Sequence, residues 1–95
     1  GTDARGLNPK LITKKNVAIY GSNKFKSLRK GFPKSISGQP LILPTYDSKL
    51  RQDLDHWAKT HSIELNVVVE SQDIAIKKLM AINQIGLIPT ATHTV

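Results

Sequence analysis

Cysteine is absent from the 95-residue chain. That excludes a disulfide framework, thiol chemistry and thiolate metal sites. Aromatic residues make up only 5 %, so the core has to be aliphatic, built from Ile, Leu and Val. No apolar run approaches the roughly 18 residues that a membrane span requires, and no apolar signal segment stands near the start. Acidic residues are nearly missing from the front of the chain. Residues 1–35 hold nine Lys/Arg and one acid, Asp3, whereas residues 36–95 hold five Lys/Arg and six acids. The net charge of +7 is therefore concentrated in the first third.

The signatures of catalysis are also missing. No Gly-x-Ser-x-Gly elbow, Walker loop, Gly-x-Gly-x-x-Gly or His-Glu-x-x-His occurs, so nucleophile, phosphate-loop and zincin chemistry have no motif to stand on. His56 and His61 lie five residues apart, on different faces of a helix, and His93 sits in the terminal tail. These are read as solvated histidines, and no metal or cofactor is expected. The sequence is read as that of a non-enzyme.

What is present is a chain of one-domain size. Apolar residues make up 39 %, enough for a folded core. Lys10–Thr13 and, more clearly, Val17–Tyr20 read as strands, and Phe25–Arg29 as one or two helical turns ended by Phe32-Pro33. Leu41-Ile42-Leu43, bounded by Pro40 and Pro44, reads as a buried strand. Asp47 or Ser48 can then cap a helix whose apolar stripe is Leu50, Leu54, Trp57 and Ala58 and which ends near His61. Leu65–Glu70, with three consecutive valines, is the strongest strand. Ser71-Gln72-Asp73 offers a second cap, ahead of a helix over Ile74–Ile82 with Ala75, Ile76, Leu79 and Ile82 on its apolar face. Gly86-Leu87-Ile88 closes the pattern as a strand ending at Pro89.

Alternation of strand and helix predicts an α/β fold with a mostly parallel sheet flanked by helices. In such sheets ligands bind beyond the strand C-termini. Two polar, helix-opening turns fall there: Pro44-Thr45-Tyr46-Asp47-Ser48 and Glu70-Ser71-Gln72-Asp73. Gly21-Ser22-Asn23 is a possible third turn on the same edge. Free N–H groups at helix starts attract anions, and simple helix capping accounts for the same residues equally well. The basic front third raises nucleic-acid binding as an alternative, which would carry a steep salt dependence. Bases would find few stacking partners there beyond Tyr20, Phe25 and Phe32.

Four segments, in their order and spacing, resemble the effector-binding region of LysR-type transcription regulators. They are Ser37-Gly38-Gln39-Pro40-Leu41-Ile42-Leu43-Pro44, the run from Ser48-Lys49-Leu50-Arg51 to Trp57, Val67-Val68-Val69-Glu70, and Ile85-Gly86-Leu87-Ile88-Pro89. The similarity spans about residues 7 to 92. The stretch from Gly6-Leu7 to Tyr20, with Gln39 to Thr45, is most similar to the sodium/proton antiporter regulator branch. The resemblance implies one subdomain of a periplasmic-binding-protein type II-like fold, the second of two, forming one lip of an effector cleft. It implies a cytoplasmic, non-membrane parent, a homo-oligomer binding DNA through a helix-turn-helix domain. Residues 1–95 would then be an excised single domain whose partners are a small-molecule or ion effector and the first subdomain. A fragment of a solute-binding protein is a further alternative. Carried over position by position, the effector residues are Thr45, Tyr46 and Ser48, with Gln72, Asp73 and Pro89. For the antiporter branch the implied signal is sodium or pH, with Asp47 and Asp73 as oxygen donors. One departure stands out: Ile82 and Gln84 occupy the places of the family's Gly-x-Gly pair. That substitution predicts a longer last helix, narrowing the cleft edge near Pro89 and Thr90.

Overall fold

The computed structural model describes residues 8–14 and 16–91. The expectations for residues 1–7 and for His93 lie outside them. Five strands form: β1 (Lys10–Lys14), β2 (Val17–Gly21), β3 (Pro40–Leu43), β4 (Asn66–Glu70) and β5 (Ile88–Ala91). Two α-helices join them, α1 (Lys49–Thr60) between β3 and β4 and α2 (Ile74–Ile82) between β4 and β5. Two short 3₁₀ helices, Asn23–Arg29 and Lys34–Ile36, fill the connection from β2 to β3.

The α/β class is as the sequence predicts, but the sheet is not mostly parallel. β1 pairs antiparallel with β2, and β2 antiparallel with β5. Only two residues separate β1 from β2, and so short a link permits a hairpin but never a parallel crossover. β3 and β4 pair in parallel, connected through α1. A parallel bridge between Leu41 and Leu87 joins the two sheets. Ile42 N–H donates to Leu87 O at 2.7 Å, and Leu87 N–H to Pro40 O at 2.9 Å. The strands therefore run β1-β2-β5-β3-β4, with β5, β3 and β4 pointing the same way and β2 opposed. This orientation corrects the placing of Gly21-Ser22-Asn23. That turn follows β2, so it lies at the opposite sheet edge from the turns after β3 and β4.

The core divides across β3. Leu41 and Leu43 belong to the larger cluster with Leu54 and Ala58 of α1, Ile12, Val17, Ile19, Phe25, Ile36 and Ile63. Ile42 belongs to the smaller one with Ala81 of α2 and Ile88. The apolar stripe of α1 is as expected: Leu54 and Ala58 are buried, while Leu50 and Trp57 are half-buried against the same cluster. Trp57 stacks on Phe32, centroids 6.1 Å apart. In β4 the register skips Val68, so Val67 faces the α1 side and Val69 the α2 side. Such an extra residue is a β-bulge, and it turns the strand locally.

The face of α2 that packs differs from the one expected. Ile76 and Leu79 are exposed, as is Ile74, whereas Lys77 and Ala81 are buried. The helix is apolar nearly all round, so periodicity gives no phase. The small Ala81 allows close approach to Ile42 and Ile88, and the Lys77 stem covers the sheet beside it. Among the described residues the only buried side-chain N or O without a partner is Ser22 Oγ, so the Lys77 ammonium reaches water at the end of its stem.

Both helices end without glycine. Ile63 N–H bonds Ala58 O at 2.8 Å and Ser62 N–H bonds Lys59 O at 3.2 Å; Ile85 N–H bonds Met80 O at 3.0 Å and Gln84 N–H bonds Ala81 O at 3.1 Å. These are two Schellman closures, with Ser62 and Gln84 in the left-handed position at φ 56° and 66°. The expected lengthening of the last helix does not occur. The closure forms with Gln84 in the strained place, and α2 stops at Ile82.

Three tests follow from this packing. A Cβ on Gly86 would lie 2.9 Å from Pro40 O and 3.1 Å from its carbonyl carbon, so Gly86→Ala pushes β5 from β3. It should lower stability in urea melts by about 1–3 kcal/mol, while Gln84→Gly should raise it by up to about 1 kcal/mol. Burial lowers the Lys77 pKa from its ordinary 10.5. Below the lowered value the charge opposes folding in full, and stability rises with pH as the folded-state amine loses its proton before the unfolded one. Lys77→Met should therefore gain up to about 1 kcal/mol at neutral pH and flatten the rise toward pH 10.5.

Candidate functional site

Because β3 and β4 run parallel, their C-terminal ends and the starts of α1 and α2 lie at one sheet edge. Two side chains cap these helices. Ser48 Oγ accepts from Arg51 N–H at 3.0 Å. Asp73 Oδ1 accepts from Ala75 N–H at 2.9 Å and Ile76 N–H at 3.2 Å. Ser71 is not the second cap: its Oγ accepts from Asp73 N–H at 3.0 Å and so shapes the turn that presents the cap. Neither helix carries an acidic residue in its first turn, so of the two caps only Asp73 brings a carboxylate to a helix start.

The two turns are tied to each other. Thr45 N–H donates to Gln72 Oε1 at 3.2 Å, and Ser71 N–H donates to Leu43 O at 2.9 Å. Beneath them Arg51 Nη1 donates to Pro44 O at 3.1 Å and to Glu70 Oε2 at 2.7 Å, while Nε donates to Asp55 Oδ1 at 3.0 Å. The Arg51 side chain is only 12 % exposed. Burial disfavours its charged form, but the hydrogen bonds and charges of Glu70 and Asp55 prevail and raise its pKa above the ordinary value. The planar guanidinium thus spans the end of β3, the end of β4 and α1. In the sequence Arg51 stands out only as part of the Ser48-Lys49-Leu50-Arg51 run. Its signal was the Ser-x-Leu-Arg spacing, which puts the arginine one turn inside the cap.

Of the six residues singled out from the sequence, five gather at this edge. Thr45 and Ser48 are half-buried, Gln72 and Asp73 are exposed, and Tyr46 is 73 % exposed. Pro89 stands apart. It is fully buried within β5, opposite Ile19, so it packs in the interior while Thr90 follows it half-buried. Among the described residues no group of three or more His, Asp or Glu side chains could hold a metal ion. His56 is exposed, and His61 Nδ1 donates to Trp57 O at 2.8 Å. No helix among the described residues is long and apolar enough to cross a membrane.

Compared with known proteins, the chain matches no family model, no curated protein and no solved structure.

The Arg51 clamp separates two kinds of ion pair. The Lys49–Asp53 pair at 2.9 Å has its lysine 84 % exposed, and such pairs contribute little. Lys49→Ala should change stability by less than about 0.5 kcal/mol. Arg51→Ala should cost about 2–3 kcal/mol by freeing Pro44 O and Glu70 together. Chemical denaturation measures both.

Proposed function

We propose that the chain is the effector-sensing half-domain of a LysR-type transcription regulator and forms one lip of a ligand cleft between two subdomains. The observation that carries this reading is the edge itself. Two strand-end turns are locked together from below by Arg51 and from the side by Gln72. Above that rigid base Tyr46 stands almost free in solvent. A large aromatic side chain held out on a fixed turn, with hydroxyls of Thr45 and Ser48 beside it, is suited to close against a second wall. In this reading Thr45, Tyr46, Ser48 and Gln72 line the lip, and Pro89, buried in β5, is not part of it. The second wall belongs to the first subdomain, the DNA-binding domain lies elsewhere in the parent, and the parent works as a homo-oligomer in the cytoplasm. Effector binding would favour one of two cleft or interface states.

Sodium, with or without pH, is the signal that the antiporter-regulator branch would take. Oxygen ligands suit a hard cation, but Asp73 Oδ1 already accepts two backbone N–H groups. A small anion at the first turn of α1, where the N–H groups of Lys49 and Leu50 have no helical partner, is the competing effector and fits the absence of acidic residues there.

The test is a thermal melt of the intact two-subdomain region with sodium and with small anions, at constant ionic strength. A ligand at 100 times its Kd should stabilise by about 2.7 kcal/mol. Tyr46→Ala should leave the unliganded melt unchanged and abolish the ligand-dependent rise. If neither sodium nor any anion moves the melt, the reading fails in this form.

A further inference from the structure

A second concave surface lies on the α2 side of the sheet, where the helix crosses β2 and β5. It is a groove of about 340 Å³. Pro9, Ile74 and Ile88 supply apolar walls, and Asn8, Tyr20, Lys78 and Thr90 supply polar atoms. No acidic residue lines it. The volume is at the lower end of the range for small-molecule sites, and the make-up is typical of them: apolar walls with a few convergent polar groups.

Three of these four polar side chains share a property, while Asn8 has a partner of its own. Among the described residues, Tyr20, Lys78 and Thr90 make no side-chain hydrogen bond or ion pair. Tyr20 and Lys78 are both half-buried. The Lys78 stem is therefore partly enclosed and its ammonium has no carboxylate of its own, although three ion pairs form elsewhere among the described residues. A cation so placed gains most from an anion brought by a ligand, because a charge-assisted bond is stronger where water is partly excluded.

We propose that this groove binds a small carboxylate with a branched aliphatic body, its charge at Lys78, its hydrogen bonds from Tyr20 and Thr90, and its body against Ile74, Ile88 and Pro9. The site is independent of the effector lip. It is walled by this chain alone, whereas the lip needs a second subdomain.

Titration of the 15N-labelled chain with 4-methylpentanoate tests it, with 4-methylpentanamide and acetate as probes of the charge and the body. The expected result is saturable shifts of the Tyr20, Ile74, Lys78, Ile88 and Thr90 amides with the carboxylate. Binding should be roughly tenfold weaker for the neutral amide, the loss of one charge-assisted bond, and undetectable for acetate. Lys78→Gln should lose roughly tenfold, Lys78→Arg should retain binding, and Tyr46→Ala should have no effect. Equal binding of acid and amide overturns the proposal. So does unchanged binding by Lys78→Gln with an unchanged fold, or shifts centred on residues 45–48, or no saturation. Because Tyr46→Ala disables only the lip, failure at the groove leaves the regulator reading standing, and the converse holds.

Discussion

Strand β3 is the constraint on which the rest of the molecule depends. Leu41, Ile42 and Leu43 are all fully buried, and the strand is bonded to β4 on one side and to Leu87 on the other. A strand covered on both faces must be apolar throughout, and it sorts its neighbours by the direction of its side chains. Leu41 and Leu43 draw α1 to one face, while Ile42 draws α2 to the other. The fit along its edge is tight enough that Gly86 has no room for a Cβ beside Pro40. The loss of one methyl-sized space there would separate the parallel half of the sheet from the antiparallel half.

The geometry of the candidate site is inherited from that strand. Pro44 ends β3, and its carbonyl is the acceptor for Arg51. Glu70 ends β4, and its carboxylate takes the other bond from the same guanidinium nitrogen. Arg51 can reach both because Ser48 caps α1 one turn earlier and fixes the helix phase. The exposed Tyr46 thus sits on a turn whose two ends are held by core packing and by a nearly buried charge. Backbone order at the rim follows from this, without the rim residues packing against one another.

Local chemistry made part of this legible from the residues. The proline-bounded run at Leu41–Leu43, the presence of a capping turn before each helix, and the i, i+4, i+7, i+8 stripe of α1 each carry their signal within a dozen residues and stand as expected, with the structure choosing Ser48 over Asp47 and Asp73 over Ser71. The antiparallel half does not, because nothing in Val17–Tyr20 says that its partner is Ile88–Ala91, some seventy residues on. The phase of α2 was hidden by apolar residues on every side. The bulge at Val68 was hidden in a run of three identical side chains. The helix ends near His61 and at Ile82 stand as read, but the way they close was hidden because Ser62 and Gln84 accept a backbone conformation that glycine usually advertises. At the site, the rim residues could be picked out as polar turn chemistry, but the clamp beneath them could not. Arg51 looks like one more charge on a solvated helix face until Glu70 arrives from nineteen residues away.

The two helices are secured to very different degrees, and the difference bears on function. α1 is anchored by Leu54 and Ala58, by half-buried Leu50 and Trp57, and by the Arg51 ties. α2 buries only Ala81 and the stem of Lys77 fully, and it leaves Ile74, Ile76 and Leu79 exposed. Elements with few buried apolar contacts open at lower free energy than the core. Yet α2 carries chemistry at both surfaces described above. Asp73 caps it at the sheet edge, and Ile74 and Lys78, within its first five residues, line the groove. The lip is held by Ser48, Arg51 and Gln72, none of them on this helix, so looser packing of α2 bears on the groove and leaves the lip in place.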